Sequence, residues 1–147
     1  MSDFYSLLIK LDTLVTELSG IMETEEKELS LLKVDPVRLQ SLADNKQRTI
    51  SAIHFYDKQR ANFEKVLGLS VPYAEQHQLT DIWKSICNKV QQANRIHDRI
   101  GYLIAQHLKK IAYLQAAIRG AEKERFIYKP CGDKEKTSPV NFYNISV

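Results

Sequence analysis

The placing of the prolines limits this chain more than any other feature. Pro36, Pro72, Pro130 and Pro139 stand between long stretches that hold none, and glycine is scarce as well, with five in 147 residues. Proline breaks a helix interior because it lacks the N–H and its ring clashes with the preceding turn, so the stretches between prolines are free to be long helices. Their apolar residues recur at helical spacing. From Phe4 the stripe runs through Leu8, Leu11, Val15, Leu18 and Met22 to Leu29 and Leu32, three and four apart, which predicts a first helix over about 3–33. Asp35-Pro36 then offers an N-cap acceptor with proline at the first helical position. A second helix follows over about 36–67, with Leu39, Ile53 and Phe63 on its inner face and Gly68 placed for a C-terminal stop. Leu69 to Gln78 is a connection. Thr80 can cap a third helix, over about 80–124, whose stripe runs from Ile82 and Ile86 to Leu114 and Ile118. Residues 129–147 hold two prolines, a glycine, a run of charge and no period, and read as a flexible tail. The expected fold is all-α: an antiparallel helical hairpin plus a longer third helix, a three-helix, coiled-coil-like bundle over 1–128, with the tail over 129–147.

Charge narrows the function. The formal excess is only +3, and the cations are interleaved with Asp and Glu rather than gathered into a stripe, which argues against nucleic acid. Two cysteines at unrelated positions, Cys87 in a helical pattern and Cys131 in the tail, read as reduced thiols in a cytoplasmic protein. The start, MSDFYSLLIKLD, lacks a basic flank before an apolar block, and there is no run of about 18 apolar residues, so neither a cleaved leader nor a membrane span is expected.

Two stripe positions carry charge. The spacing that joins Met22 to Leu29 passes through Glu25, and that from Leu42 to Ile50 passes through Lys46. Both stand at similar distances from the turn at residues 34–36, so an antiparallel hairpin would bring them face to face as a shielded pair that fixes register. The plainer reading is that each stripe drifts and both side chains snorkel to water.

At 1.5 Å per residue the third helix is roughly 64 Å long against about 45 Å for each of the others. Its apolar pattern continues past the far end of the hairpin, near Ile111. Ile104, Leu108, Ile111, Leu114 and Ile118 share one face, which is a place for a partner helix. A homodimer burying the overhang, or a bent end folding back on the hairpin, would satisfy the same residues. Beyond them Phe126, Ile127 and Tyr128 form an apolar tip just before Pro130 and Gly132, either a local cap on the last helical turn or a second contact surface.

Catalytic and metal signatures are lacking. The sequence has no glycine-rich phosphate loop, no HExxH, no paired CxxC and no Glu-x-x-His ligand set. His54 and Asp57 are one turn apart, the ordinary polarity of a helix surface. His97 and His107 are ten positions apart and make no ligand set with Cys87. Trp83 and the tyrosines at helical spacing are packing groups. The chain is not expected to be an enzyme or to need a cofactor.

The order of these marks resembles the FlgN family of flagellar type III export chaperones. IMETEEKEL matches its Met-x-x-Glu-x-x-x-Leu pattern at Met22, Glu25 and Leu29. NKQRTISAIHFYDKQR matches a stretch led by lysine and closed by arginine, at Lys46 and Arg60. IWKSICNKV matches a tryptophan-bearing start, IGYLI a Gly-aromatic pair at Gly101 and Tyr102, and IYKPCG a Tyr-x-x-x-Gly at Tyr128 and Gly132. The likeness runs to the apolar end, ISV. It departs at His97 and Ile100, where similar members carry asparagine. The resemblance implies a cytoplasmic chaperone that holds the C-terminal amphipathic segment of hook–filament junction proteins (hook-associated proteins). Such a chaperone prevents their premature assembly and delivers them to the cytoplasmic domain of the flagellar export gate. The third-helix face would be the client site, and Tyr128, flanked by Phe126 and Ile127, would dock on the gate. The other readings are a self-associating coiled-coil adapter without a client, and a chaperone of another secretion system.

Overall fold

The computed structural model describes residues 2–125, with side chains to Ala121, and contains three α-helices: α1 Ser2–Leu29, α2 Pro36–Leu67 and α3 His77–Arg125. The expected tail over 129–147, with Phe126, Ile127 and Tyr128, lies outside the described residues. The fold is all-α. α1 and α2 are antiparallel: the Lys10 ammonium sits over the Tyr56 ring, Glu25 meets Lys46, and Glu28 meets Arg38. α3 returns parallel to α1, so that Asp12 bonds to Ser85 and Lys89, Glu26 to Arg99, and the Leu29 carbonyl to His107.

α1 is the central element and packs against both other helices, whereas no Cα of α2 comes within 8 Å of one in α3 among the described residues. Burial follows from this. α1 buries Phe4, Leu7, Leu8, Leu11, Leu14 and Val15 within its first half, while α2, covered on one side only, buries just Leu39, Ala43 and Lys46. A leucine as enclosed as Leu8 contributes about 1.5–3 kcal/mol by leaving water, so most of the holding energy runs through α1.

The helix ends have local causes. Asp35 Oδ1 accepts from the backbone N–H of Val37 and Arg38, and Pro36 stands where no N–H is needed. Gly68 closes α2 in the left-handed region at φ 66°, returning its N–H to the Glu64 carbonyl. α1 stops at Leu29, four residues short of the expected end. The Ser30 N–H divides between the Glu26 and Lys27 carbonyls, and His107 of α3 takes up the Leu29 carbonyl. The apolar spacing beyond that point is not used: Leu32 is fully exposed. α3 starts at His77, a turn before Thr80. The Thr80 hydroxyl donates to the carbonyls of Tyr73 and Gln76 instead of accepting an N-terminal N–H.

Candidate functional site

α3 reaches the end of α1 at His107, and the length from there to Arg125 projects roughly 27 Å past the bundle. Ile100 is the last fully buried residue of α3, in a cluster with Met22, Leu29, Leu39, Ala43, Ala93 and Ile96, and half-buried Ile104 packs on the edge of that cluster. One turn on, exposure rises: Leu108 is 42% exposed, Leu114 50% and Ile118 58%, with Ile111 half-buried between them. Their 4, 3, 3 and 4 spacing keeps all five on one face. The structure therefore splits the group, with Ile104 belonging to the edge of the core and the other four forming a stripe beyond the hairpin.

Charge along this segment departs from the interleaving expected of the whole chain. From Arg99 to Ala121, α3 carries no carboxylate but holds Arg99, Lys109, Lys110 and Arg119. Arg99 is answered by Glu26 at 2.7 Å, the last ion pair between α1 and α3 in the chain direction among the described residues. Gly101 has open space where a Cβ would stand, and Tyr102 beside it is exposed.

In the middle of the hairpin the structure brings Glu25 and Lys46 together. The Lys46 ammonium donates to both carboxylate oxygens, at 3.0 and 3.3 Å, and neither side chain has more than 6% of its surface in water. Burial pushes the Glu25 carboxyl above its ordinary range, against the hydrogen bond and charge of Lys46 and the nearby His97.

A second cluster, at the opposite end of the bundle, was not visible in the sequence. Tyr73 lies in the connection between α2 and α3 yet is 2% exposed, with a backbone φ of 59°. Its ring meets Phe4 and Trp83 edge-on, with centroids 5.4 and 5.7 Å apart. Its hydroxyl donates to Glu64 at 2.6 Å and accepts from Arg60 at 3.1 Å. Arg60 also bonds to Asp57 and Glu64 and lays its guanidinium 4.8 Å over the Trp83 ring. The only sequence signals were an aromatic residue after Pro72 and carboxylates three before and four after Arg60. The cluster fastens the connection and the starts of α1 and α3 to the end of α2, consistent with a structural role.

Among the described residues, no group of three His, Cys, Asp or Glu side chains could hold a metal ion, and no helix is long and apolar enough to cross a membrane. Two concave surfaces among the described residues are open depressions, one beside Pro36, Gln40 and Arg48 and another beside Ser30, Arg99 and Tyr102. Among the described residues the molecule is thus an all-α bundle whose longest helix leaves an apolar face uncovered. The FlgN protein family matches residues 1–136, and the chain belongs to that family. It is 25% identical over 93 residues to the Flagella synthesis protein FlgN of Proteus mirabilis, a match covering 63% of this chain and 64% of that protein's length. It is 18% identical over 110 residues to the proteins of the same name in Salmonella typhimurium and Salmonella typhi, covering 75% of each chain. No solved structure matches it.

Proposed function

We propose that this chain is a cytoplasmic flagellar export chaperone. It holds the C-terminal amphipathic segment of a hook–filament junction protein, keeps that segment from assembling early, and carries it to the cytoplasmic domain of the flagellar export gate. The observation that supports this is the uncovered stripe of Leu108, Ile111, Leu114 and Ile118 beyond the hairpin, in a member of the FlgN family. Relatives are named for flagella synthesis. An amphipathic helix laid on this stripe would be masked by burial alone, without nucleotide or metal. Several hundred Å² at about 25 cal/mol per Å² gives a gross gain of roughly 10 kcal/mol, much of which is offset by the lost freedom of the two partners, leaving a complex that can form and release. Tyr128, with Phe126 and Ile127 beside it, is assigned to docking on the gate, on the strength of the family resemblance.

The same stripe would serve a coiled-coil adapter that pairs only with itself. Light scattering with and without a junction-protein C-terminal peptide separates the two. A chaperone gives a complex of defined mass with the peptide. A client-free scaffold stays oligomeric and ignores it, and that result would refute the proposal.

A further inference from the structure

The stripe is bordered by cations that no described carboxylate answers; Arg119 Nε donates only to the Gln115 carbonyl one turn back. Among the described residues, no carboxylate lies within 4 Å of Lys109, Lys110 or Arg119. From His107 to Arg125 the sequence holds five cations, Lys109, Lys110, Arg119, Lys123 and Arg125, against Glu122 and Glu124, a net charge of +3 that equals the formal charge of the whole chain. At 3.6 residues per turn, Lys110 and Arg119 fall on opposite borders of the stripe through Ile111 and Ile118, each roughly 90° from its centre, with Lys109 behind it.

We infer that this face selects an amphipathic helix whose apolar stripe is bordered by carboxylates. The inference rests on the client-binding reading above and gives that client its electrostatic character. Pairing the overhang with that of a second copy would bring together two segments that each carry a net charge of +3, five cations against Glu122 and Glu124. Like net charge on the two copies opposes that pairing at helix–helix spacing. A helix with Glu or Asp at its borders meets Lys110 and Arg119 with opposite charge while its apolar residues cover Leu108, Ile111, Leu114 and Ile118. Exposed pairs of this kind add little affinity, but they suppress wrong partners and speed encounter. A lipid surface fits less well, because the aromatic residues that would anchor a helix at an interface, Tyr102 and Tyr113, lie on the side of α3 away from the stripe.

Three synthetic helical peptides with one shared apolar stripe and borders of Glu, Gln or Lys test this. Each is titrated against the full chain by fluorescence anisotropy at about 50 and about 500 mM salt. The Glu peptide is expected to bind roughly fivefold more tightly than the Gln peptide at low salt, and the Lys peptide more weakly than either, with the differences closing at high salt. The K110E/R119E variant should reverse the order, and K110Q/R119Q should abolish it, with helicity checked for both. Equal affinities would overturn the inference and leave the client-binding reading standing. Failure of all three peptides to bind would overturn both. A dimer occupying the overhang, or capture by anionic vesicles that displaces the Glu peptide, would also overturn it.

Discussion

Replacing Lys46 by methionine would leave the Glu25 carboxylate enclosed, with none of its side chain in water and its cation gone. A buried charge in that position escapes by taking up a proton, and this bounds the cost. Protonating an ordinary carboxyl at pH 7, about 2.7 units above its pKa, takes roughly 3.7 kcal/mol at 1.36 kcal/mol per unit. Lys46→Met should therefore lose at most about 3.7 kcal/mol at pH 7, less whatever burial already costs Glu25 in the wild type. Glu25 already sits above its ordinary range because burial outweighs the pull of Lys46 and His97, and loss of Lys46 would raise it further. A carboxyl whose folded pKa exceeds its unfolded one stabilises most at low pH, and that contribution falls as pH rises from the unfolded pKa through the folded one. The variant should thus regain stability relative to the wild type as pH falls from 7 towards 5, by at most about 1.4 kcal/mol per unit. The double variant Glu25→Leu/Lys46→Met removes both charges and should lie within about 1 kcal/mol of the wild type. Urea unfolding followed by circular dichroism at pH 5, 6 and 7 measures all three proteins. A single variant no worse than the double, or a loss that does not change with pH, would refute the reasoning.

Leu114→Asp and Ile118→Asp should abolish binding of a junction-protein C-terminal peptide and shift stability by less than about 0.5 kcal/mol, because both sites are at least half exposed; a large loss in urea unfolding would mean that the stripe is covered. Tyr73→Phe should cost about 1–2 kcal/mol in the same assay by leaving Glu64 and Arg60 without the hydroxyl between them. Burial, then the Glu64 bond, pushes the Tyr73 phenol up to about 12, against the pull of Arg60; since the folded value is the higher one, stability should fall between about pH 10 and 12, and tyrosinate absorbance should show a late phenol that Tyr73→Phe removes. Tyr128→Ala should leave the client complex intact and weaken its calorimetric binding to the export gate's cytoplasmic domain; unchanged binding would leave the ring without that role.

α2 was legible to the residue because both of its ends are set by local chemistry, an Asp-Pro cap and a left-handed glycine. The end of α1 was not. Leu31 and Leu32 continue the apolar spacing, and what stops the helix is a turn at Ser30 together with a histidine 78 positions away on the Leu29 carbonyl. Tyr73 was hidden for a related reason: a residue in an aperiodic connection carries no sign of burial, and its partners come from all three helices. On α3, spacing alone placed five residues on one face. It could not show that the core ends between Ile104 and Leu108, because period is blind to where a neighbouring helix stops. The acid-free run from Arg99 to Ala121 was readable in the sequence but was averaged away when charge was judged over the whole chain.

The parallel pairing of α1 with α3 sets an order of events during synthesis. The α1–α2 hairpin joins residues close in the chain and can close once Leu67 has emerged. The flank of α1 that carries Asp12 and Glu26 must wait for partners 73 to 78 positions further on. At about 5–20 residues per second, that is a delay of several seconds or more. Closing so long a loop costs only slightly more entropy than closing a short one. The time matters more than the entropy, because half of the central helix stays wet until α3 arrives. A nascent chain stalled after α2 would therefore display, as sticky surface, the flank that the finished protein hides.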